Sequence, residues 1–125
     1  MKISKLFFLF IYLFFAISTA TASSQLYFLP NDTKKAQNKI LELFKNSKEN
    51  IDIAMYNFKY KKFIKALKKA HNKNIDIKLY LDRKKAKDSK IDFIEYKTFK
   101  NKQHIKAIVF DKKTVVFGSA NWKKE

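Results

Sequence analysis

The hydrophobic pattern of this 125-residue chain changes repeatedly between helical and strand spacing, which strongly limits the folds that it can adopt. Apolar residues recur at helical spacing over 36–47, after the candidate N-caps Asn31 and Asp32, and again over 61–72. Apolar or alternating runs predict strands at 26–29, 51–56, 75–81, 92–96, 105–110 and 114–117, and the polar stretch 82–90 fits a short helix or a loop. This alternation predicts an α/β fold: a mixed, mostly parallel sheet flanked by helices and closed by an antiparallel hairpin.

The N-terminal segment, residues 1–22, has the three parts of a secretory signal peptide. Lys2 and Lys5 supply the positive start, residues 6–17 form an unbroken apolar run, and Ala20-Thr21-Ala22 has the small-x-small pattern of a cleavage site. The apolar run is shorter than the about 20 residues that a membrane-spanning helix needs. Cleavage after Ala22 would leave one domain, residues 23–125, in the periplasm or outside the cell. Without cleavage, the segment would anchor that domain to the membrane, facing away from the cytoplasm.

The composition indicates a polyanionic partner. The net charge is +17, and it would be +15 without Lys2 and Lys5; Arg83 is the single arginine. Such a positive surface attracts nucleic acid or an anionic membrane face, with a strong dependence on salt. The shortage of arginine argues against bidentate recognition of particular bases. Cysteine is absent, which excludes disulfides, a thiol nucleophile and cysteine-based metal sites.

One of the two histidines of the chain lies at the start of the predicted hairpin. In a strand, His104 and Lys106 share a face. A lysine in this place neutralises a non-bridging phosphate oxygen and favours the neutral imidazole, which suits attack on a phosphodiester. Asp111 has the opposite parity, so we assign it to the turn or to an orienting role rather than to acid–base chemistry.

The only glycine of the chain follows the second strand of the hairpin. Gly118 in this position predicts a backbone with positive φ or a close approach by another group. Ser119 and Asn121 would share a face if the chain is extended there. They would offer a hydroxyl and an amide to phosphate oxygens.

Together these residues reproduce a known pattern, H-x-K-x4-D-x6-G-S-x-N, as His104, Lys106, Asp111, Gly118, Ser119 and Asn121. The chain thereby resembles the phospholipase D superfamily, for which this motif is highly specific. Upstream stretches such as NIDIAMYNF and NIDIKLYLD are similar to the small single-motif bacterial nucleases of that superfamily. The resemblance extends over nearly all of residues 23–125 and implies a phospholipase D-like half-domain.

The resemblance also implies a mechanism without metal or cofactor, in which two motif histidines act at one site. With one motif per chain, a homodimer is implied, because His104 of one subunit would form a covalent phosphohistidine while His104 of the other acts as acid and base. Lys106 and Asn121 of both subunits would hold the phosphoryl oxygens, with support from Ser119. We therefore expect an exported endonuclease that cleaves DNA or RNA.

In that family a further helix and strand follow the motif and carry an acidic residue near the catalytic histidine. The chain ends at Glu125, so we expect a domain without these elements and a hairpin beside an open sheet edge. Gln103 also stands where family members often have a second histidine. Two alternative functions stay open: a phospholipase D-type lipid phosphodiesterase, associated with the membrane if residues 1–22 are retained, and an inactive remnant that binds polyanions by charge alone.

The remaining aromatic residues and the second histidine have plainer interpretations. His71 lies near the end of the second predicted helix, where a cation interacts favourably with the helix dipole. Tyr56, Phe58 and Tyr60 fit packing in or beside the core better than base stacking. Trp122 fits either role.

Overall fold

The computed structural model of the chain describes residues 4–6 and 21–123. The predicted signal peptide, residues 1–22, lies almost entirely outside these ranges. Within them, no helix has the length and the apolar character needed to cross a membrane.

Helices and strands alternate through the described part of the chain. They are α1 (Thr33–Asn46), β1 (Asn50–Met55), α2 (Lys61–Asn72), β2 (Asp76–Leu81), a 3-10 helix (Ala86–Ser89), β3 (Lys97–Thr98), β4 (Lys106–Phe110) and β5 (Thr114–Phe117). Both predicted α-helices are confirmed, as are the strands that correspond to β1, β2, β4 and β5. The polar stretch 82–90 contains the 3-10 helix.

The strands form one mixed sheet in the order β3-β2-β1-β4-β5. β1 pairs in parallel with β2, and β2 with β3, whereas β4 lies antiparallel to both β1 and β5. Helix α2 connects the parallel strands β1 and β2, because such strands need a crossover rather than a tight turn. The predicted α/β architecture with a mixed sheet is confirmed.

The core lies between the two helices and one face of the sheet. In β1 and β4 every second side chain is buried, as the period of a strand with one covered face requires. The ring of Phe44 in α1 meets that of Phe110 in β4 edge-on, with their centroids 5.2 Å apart. The most deeply buried side chains are Phe58, Ile51, Ile53, Met55, Leu67, Leu81 and Ile108. Lys106 occupies the first position of this covered face in β4 and is itself buried.

The prediction of a strand at 26–29 is wrong. Leu26 and Phe28 are exposed, and this segment pairs with no strand of the described sheet. Its backbone instead turns into α1, because Asp32 N–H donates to Phe28 O at 2.8 Å and Phe28 N–H donates to Asp32 Oδ2 at 2.9 Å. The Asp32 carboxylate therefore closes the turn before the helix and makes no capping bond to the helix itself.

The prediction of a strand at 92–96 is also wrong. The third parallel strand is the two-residue β3, where Lys97 lies opposite Tyr80 and Thr98 opposite Leu81. The apolar residues of 92–96 pack against the core instead, where Phe93, Ile94 and Tyr96 are half-buried. β-rich composition shows that a segment is apolar, but it does not show where the segment meets a sheet edge.

Candidate active site

Three chain segments meet at one end of the strands of the sheet. The parallel strands β1 and β2 end there and the antiparallel β4 begins there, with Met55 opposite Lys106. Tyr56 directly follows β1, Asp82 directly follows β2, and His104 precedes β4. In open α/β sheets, the carboxyl ends of the parallel strands are where ligands bind.

His104 and Lys106 are in direct contact. Lys106 Nζ lies 2.9 Å from His104 Nδ1 and donates to the His104 carbonyl oxygen at 2.8 Å. Lys106 is only 6% exposed, whereas His104 is exposed. Burial lowers the pKa of Lys106 below its ordinary value, because the charged form loses hydration. The site therefore combines a shielded amine with an accessible imidazole.

With Lys106 as an ammonium group, the same contact is compatible with one tautomer of a neutral His104. An ammonium group has three donors and no acceptor, so Nδ1 of His104 accepts from Lys106. The proton of a neutral imidazole is then on Nε2. In this arrangement Nε2 has no free lone pair for attack on phosphorus.

Tyr56 packs against the histidine and is flanked by cations. The ring centroids of Tyr56 and His104 are 4.6 Å apart, with an interplanar angle of 56°. Lys106 Nζ lies 5.6 Å and Lys102 Nζ 6.0 Å from the Tyr56 ring centroid. Tyr56 N–H donates to Ile105 O at 2.8 Å, which fixes the backbone next to the histidine. Tyr56 thus belongs to the candidate site, whereas Phe58 is in the core and Tyr60 is half-buried beside it.

The last part of the motif, residues 118–122, is held at both ends. Gly118 N–H donates to Lys106 O at 3.2 Å, and Trp122 N–H donates to Asn57 O at 3.0 Å. The Trp122 carbonyl accepts from the N–H groups of Lys59 and Tyr60 at 2.7 and 2.6 Å. These bonds place the segment at the same end of the strands as Lys106.

Trp122 is a core residue. It is 9% exposed, and its ring centroid lies 5.2 Å from that of Phe58, 4.7 Å from that of Phe63 and 6.3 Å from that of Phe44. Of the two roles that the sequence left open, the structure therefore shows packing. The side chain anchors residues 118–122 to the domain.

Ser119 and Asn121 lie between these anchors. Ser119 is exposed and Asn121 is half-buried, and within the described residues neither forms a side-chain hydrogen bond to His104 or Lys106. The Asn121 Oδ1 atom is buried and meets no donor within residues 21–123. Such burial without a partner costs about 1–3 kcal/mol.

The backbone prediction for Gly118 is wrong in this structure. Its φ is not positive, and a Cβ added to it would meet no atom within 4 Å. The N–H group of Gly118 extends the pairing of the two hairpin strands through its bond to the Lys106 carbonyl. Its backbone conformation is therefore one that residues with a side chain also adopt.

Asp111 lies at the opposite end of β4, roughly 16 Å from Lys106 at about 3.3 Å per residue. Its φ is 53°, and its carboxylate accepts from Ser47 Oγ at 2.8 Å and from the backbone N–H groups of residues 48–50. Burial raises the pKa of Asp111, but the bonds from Glu49 N–H, Ser47 and their neighbours outweigh it and lower the pKa to about 2. Asp111 thus holds the loop between α1 and β1 onto the hairpin turn.

The second histidine lies apart from these residues. His71 is half-buried in the last turn of α2, with its ring centroid 6.0 Å from that of Phe93. In the described part of the chain, no three side chains of histidine or carboxylate type are grouped as metal ligands.

A basic cleft beside His104 was not indicated by the sequence pattern. It has a volume of about 300 Å³ and is lined by Tyr56, Asp82, Arg83, Lys84, Lys85, Lys100, Asn101 and Lys102. The sequence contained one indication of this cleft: Tyr56 and Asp82 occupy the positions directly after two parallel strands, where ligands bind in open α/β sheets.

The motif and the fold agree with a comparison against known families. Residues 40–125 match the family described as "Cardiolipin synthase, PLD-like domain", and this range is more than half of the chain. The chain belongs to this phospholipase D-like family.

Two solved structures have the same fold. The chain is similar to NucT from Helicobacter pylori, with a TM-score of 0.68 and 24% sequence identity over 79% of this chain and 74% of that chain. It is also similar to Nuc from Salmonella typhimurium, a phospholipase D family member, with a TM-score of 0.62 and 27% identity over 71% of this chain and 66% of that chain. Comparison with curated protein sequences finds no match. The family and these neighbours support a phosphodiesterase of the phospholipase D type.

Proposed function

We propose that the protein is a metal-independent phosphodiesterase that cleaves DNA or RNA with His104 as nucleophile. The observation that carries the proposal is the contact between the exposed His104 and the buried Lys106 at the carboxyl edge of the parallel strands. The net charge of +17 supports a polyanionic substrate. Membership of the phospholipase D-like family supports phosphodiester chemistry.

In the first step, Nε2 of His104 attacks phosphorus, a P–N bond forms, and the bond from phosphorus to the leaving oxygen breaks. The leaving oxygen takes a proton from the protonated His104 of a second subunit. Water then attacks phosphorus and gives a proton to that second His104 while the P–N bond breaks. Both imidazoles return to their starting states. Lys106 and Asn121 hold the phosphoryl oxygens, and Ser119 supports them.

Both roles require a proton on Nδ1 of His104. The nucleophile needs its lone pair on Nε2, and the acid needs protons on both ring nitrogens. Lys106 therefore has to release Nδ1 before the reaction, and a phosphoryl oxygen offers its ammonium a stronger, charge-assisted acceptor. Binding of substrate and preparation of the nucleophile are coupled through this one side chain.

The proposal includes a homodimer with a shared site. One chain supplies one motif histidine, and the exposure of His104 leaves the site open to a second copy. A two-fold axis at this edge would bring the two His104 side chains together.

The test is cleavage of single-stranded DNA, double-stranded DNA and RNA in the presence of a metal chelator. The wild-type protein is expected to cleave, and His104→Ala is expected to lose about 10³-fold or more of the rate. His71→Ala is the matched control, because it removes the other histidine, away from Lys106, and should retain activity. Equal activity of the two variants would contradict the proposal, and salt-sensitive binding by a wild-type protein without turnover would support the inactive polyanion binder.

A lipid phosphodiesterase is the second candidate, because the matching family carries the name of a lipid enzyme. Release of headgroups from anionic vesicles by the wild-type protein, faster than cleavage of oligonucleotides and lost in His104→Ala, would favour it.

We also propose that residues 1–22 direct export, on the strength of their charged, apolar and small-residue parts. Sequencing of the mature N-terminus should give Ser23 as the first residue, and a protein that retains Met1 would instead be anchored or unprocessed.

A further inference from the structure

Three large apolar side chains are exposed together in the four residues 26–29, which we call the apolar turn. Leu26 is 77% exposed, Phe28 67% and Leu29 50%. A single exposed leucine is ordinary on a protein surface, whereas adjacent large apolar side chains left in water mark a place where a partner or a membrane binds.

The backbone of the apolar turn is fixed to the start of α1. Phe28 O and Phe28 N–H are both bonded to Asp32, at 2.8 and 2.9 Å. The N–H and hydroxyl groups of Thr33 both donate to Pro30 O, at 3.1 and 2.7 Å. Because these bonds already order the segment, its apolar side chains can be buried by a partner with little further loss of conformational freedom.

Exposed lysines lie beside the apolar turn. They belong to the first turns of the two helices and are Lys34, Lys35, Lys61 and Lys62. The two helix starts are close to each other, because the Tyr60 hydroxyl donates to Gln37 Oε1 at 3.1 Å. Within residues 21–123 only Lys35 of these four forms an ion pair, with Asp32. Neither first turn contains an acidic residue, so this charge opposes both helix dipoles and does not stabilise the helices.

We propose that the apolar turn and the lysines at the two helix starts form a surface that binds an anionic lipid bilayer. The side chains of Leu26, Phe28 and Leu29 would enter the boundary between headgroups and acyl chains, while the lysines meet anionic headgroups. A nucleic acid would neutralise the lysines but offers no apolar phase to the turn. The surface includes none of the residues of the candidate active site, so its role goes beyond the proposed phosphodiesterase activity.

The chain contains no cysteine, so one introduced cysteine can carry an environment-sensitive fluorophore. The experiment uses the full chain with Leu26→Cys and vesicles of phosphatidylcholine, alone or mixed with phosphatidylglycerol. Ser24→Cys is the first control, because it lies closer to residues 1–22 and reports any insertion that they cause. Phe117→Cys is the second control, an equally exposed apolar position on β5.

On mixed vesicles, the emission of the label at position 26 is expected to shift to the blue and to become protected from iodide quenching. The labels at positions 24 and 117 should change less. Equal changes at 24 and 26 would show that residues 1–22 bring the chain to the bilayer, and would overturn the proposal. An unchanged label at 26 would overturn it too, as would a label that responds to an oligonucleotide but not to vesicles.

The lysines are tested in the labelled chain with Lys34→Ala and Lys61→Ala. The affinity for mixed vesicles should fall about 25-fold, since each lysine near an anionic bilayer contributes about 5-fold. Alanine favours helix, so both substitutions are compatible with the fold. Lys48→Ala with Lys113→Ala removes the same charge from exposed positions near Asp111 and should have little effect. Equal losses in the two pairs would mean that net charge alone attracts the vesicles, which contradicts a defined surface.

The apolar contribution is tested with Phe28→Ser and Leu29→Ser, which should weaken binding to mixed vesicles about 30-fold. The matched pair Val115→Ser and Phe117→Ser removes exposed apolar side chains from β5 and should bind as the wild type does. Equal affinities for the two pairs would overturn the proposal.

His104→Ala separates this surface from a lipid held as substrate. The label at position 26 should respond to vesicles in His104→Ala as it does in the wild type. Loss of the response would place the bilayer contact at the candidate active site and overturn the proposal, whether or not the wild-type protein cleaves nucleic acid.

Discussion

At the scale of single residues, Tyr56 links the sheet to the imidazole. Its ring contacts His104, and its backbone is bonded to Ile105, so it limits the orientations of the histidine. Tyr56→Ala should lower kcat on an oligonucleotide by roughly 10- to 100-fold with little change in KM, because a displacement of about 1 Å costs up to about 10² in rate. Tyr56→Phe keeps the ring and should retain most of the activity. A change in KM alone would argue against this positioning role.

Asp111 acts on stability rather than on chemistry. Its pKa is lowered to about 2, since burial, which raises it, is outweighed by hydrogen bonds from Glu49 N–H, Ser47 and neighbouring N–H groups. A carboxyl whose folded pKa lies below its unfolded value of about 3.9 stabilises the fold at higher pH and loses that contribution as pH falls towards the folded pKa.

Asp111→Asn should therefore lower the Tm at neutral pH, and its difference from the wild type should shrink between about pH 4 and pH 2. Asparagine tolerates the positive φ of 53° at this position, so the backbone is not the cause. Asp92→Asn is the control, because that carboxylate is exposed and makes no side-chain hydrogen bond in the described structure. A constant Tm difference across this pH range would contradict the assignment.

At the scale of elements, residues 118–122 depend on one side chain for their attachment. Trp122 packs among the rings of Phe44, Phe58 and Phe63. Trp122→Ala should lower the free energy of unfolding by about 3–5 kcal/mol, the usual cost of removing a large aromatic side chain from a core. Denaturant unfolding followed by circular dichroism measures it, with Trp122→Phe expected to lose less. A loss below about 1 kcal/mol would mean that the ring is not held in the core.

Periodicity was sufficient to predict the elements that bury one face. Residues 61–72 and 114–117 are confirmed with the same bounds, because helical spacing and β-branched runs are local properties of the sequence. The segments 26–29 and 92–96 were mispredicted, because pairing depends on which sheet edge is within reach. The motif identified His104 and Lys106 directly, whereas Asp82 and the basic cleft depend on loops far apart in the chain. The parallel pairing of β2 with β3 brings those loops together.

At the scale of the whole molecule, the hairpin leaves one side of the described sheet unpaired. β5 is the last strand in the order, and Phe117 on it is 81% exposed. The open space next to Gly118 lies just after this strand. This exposed apolar edge beside the motif supports the proposal that two copies of the chain share one site.

A shared site makes a specific prediction for mixtures of subunits. If the wild-type chain is co-expressed with an equal amount of His104→Ala, about one quarter of the dimers contain two wild-type subunits and have both histidines. Activity per wild-type subunit should then fall to about one half, because the mixed dimers lack either the nucleophile or the acid. Co-expression with His71→Ala should cause no such loss, since both partners keep His104. Unchanged activity with His104→Ala, or an active protein that sizes as a monomer, would show that one His104 completes the reaction within its own chain.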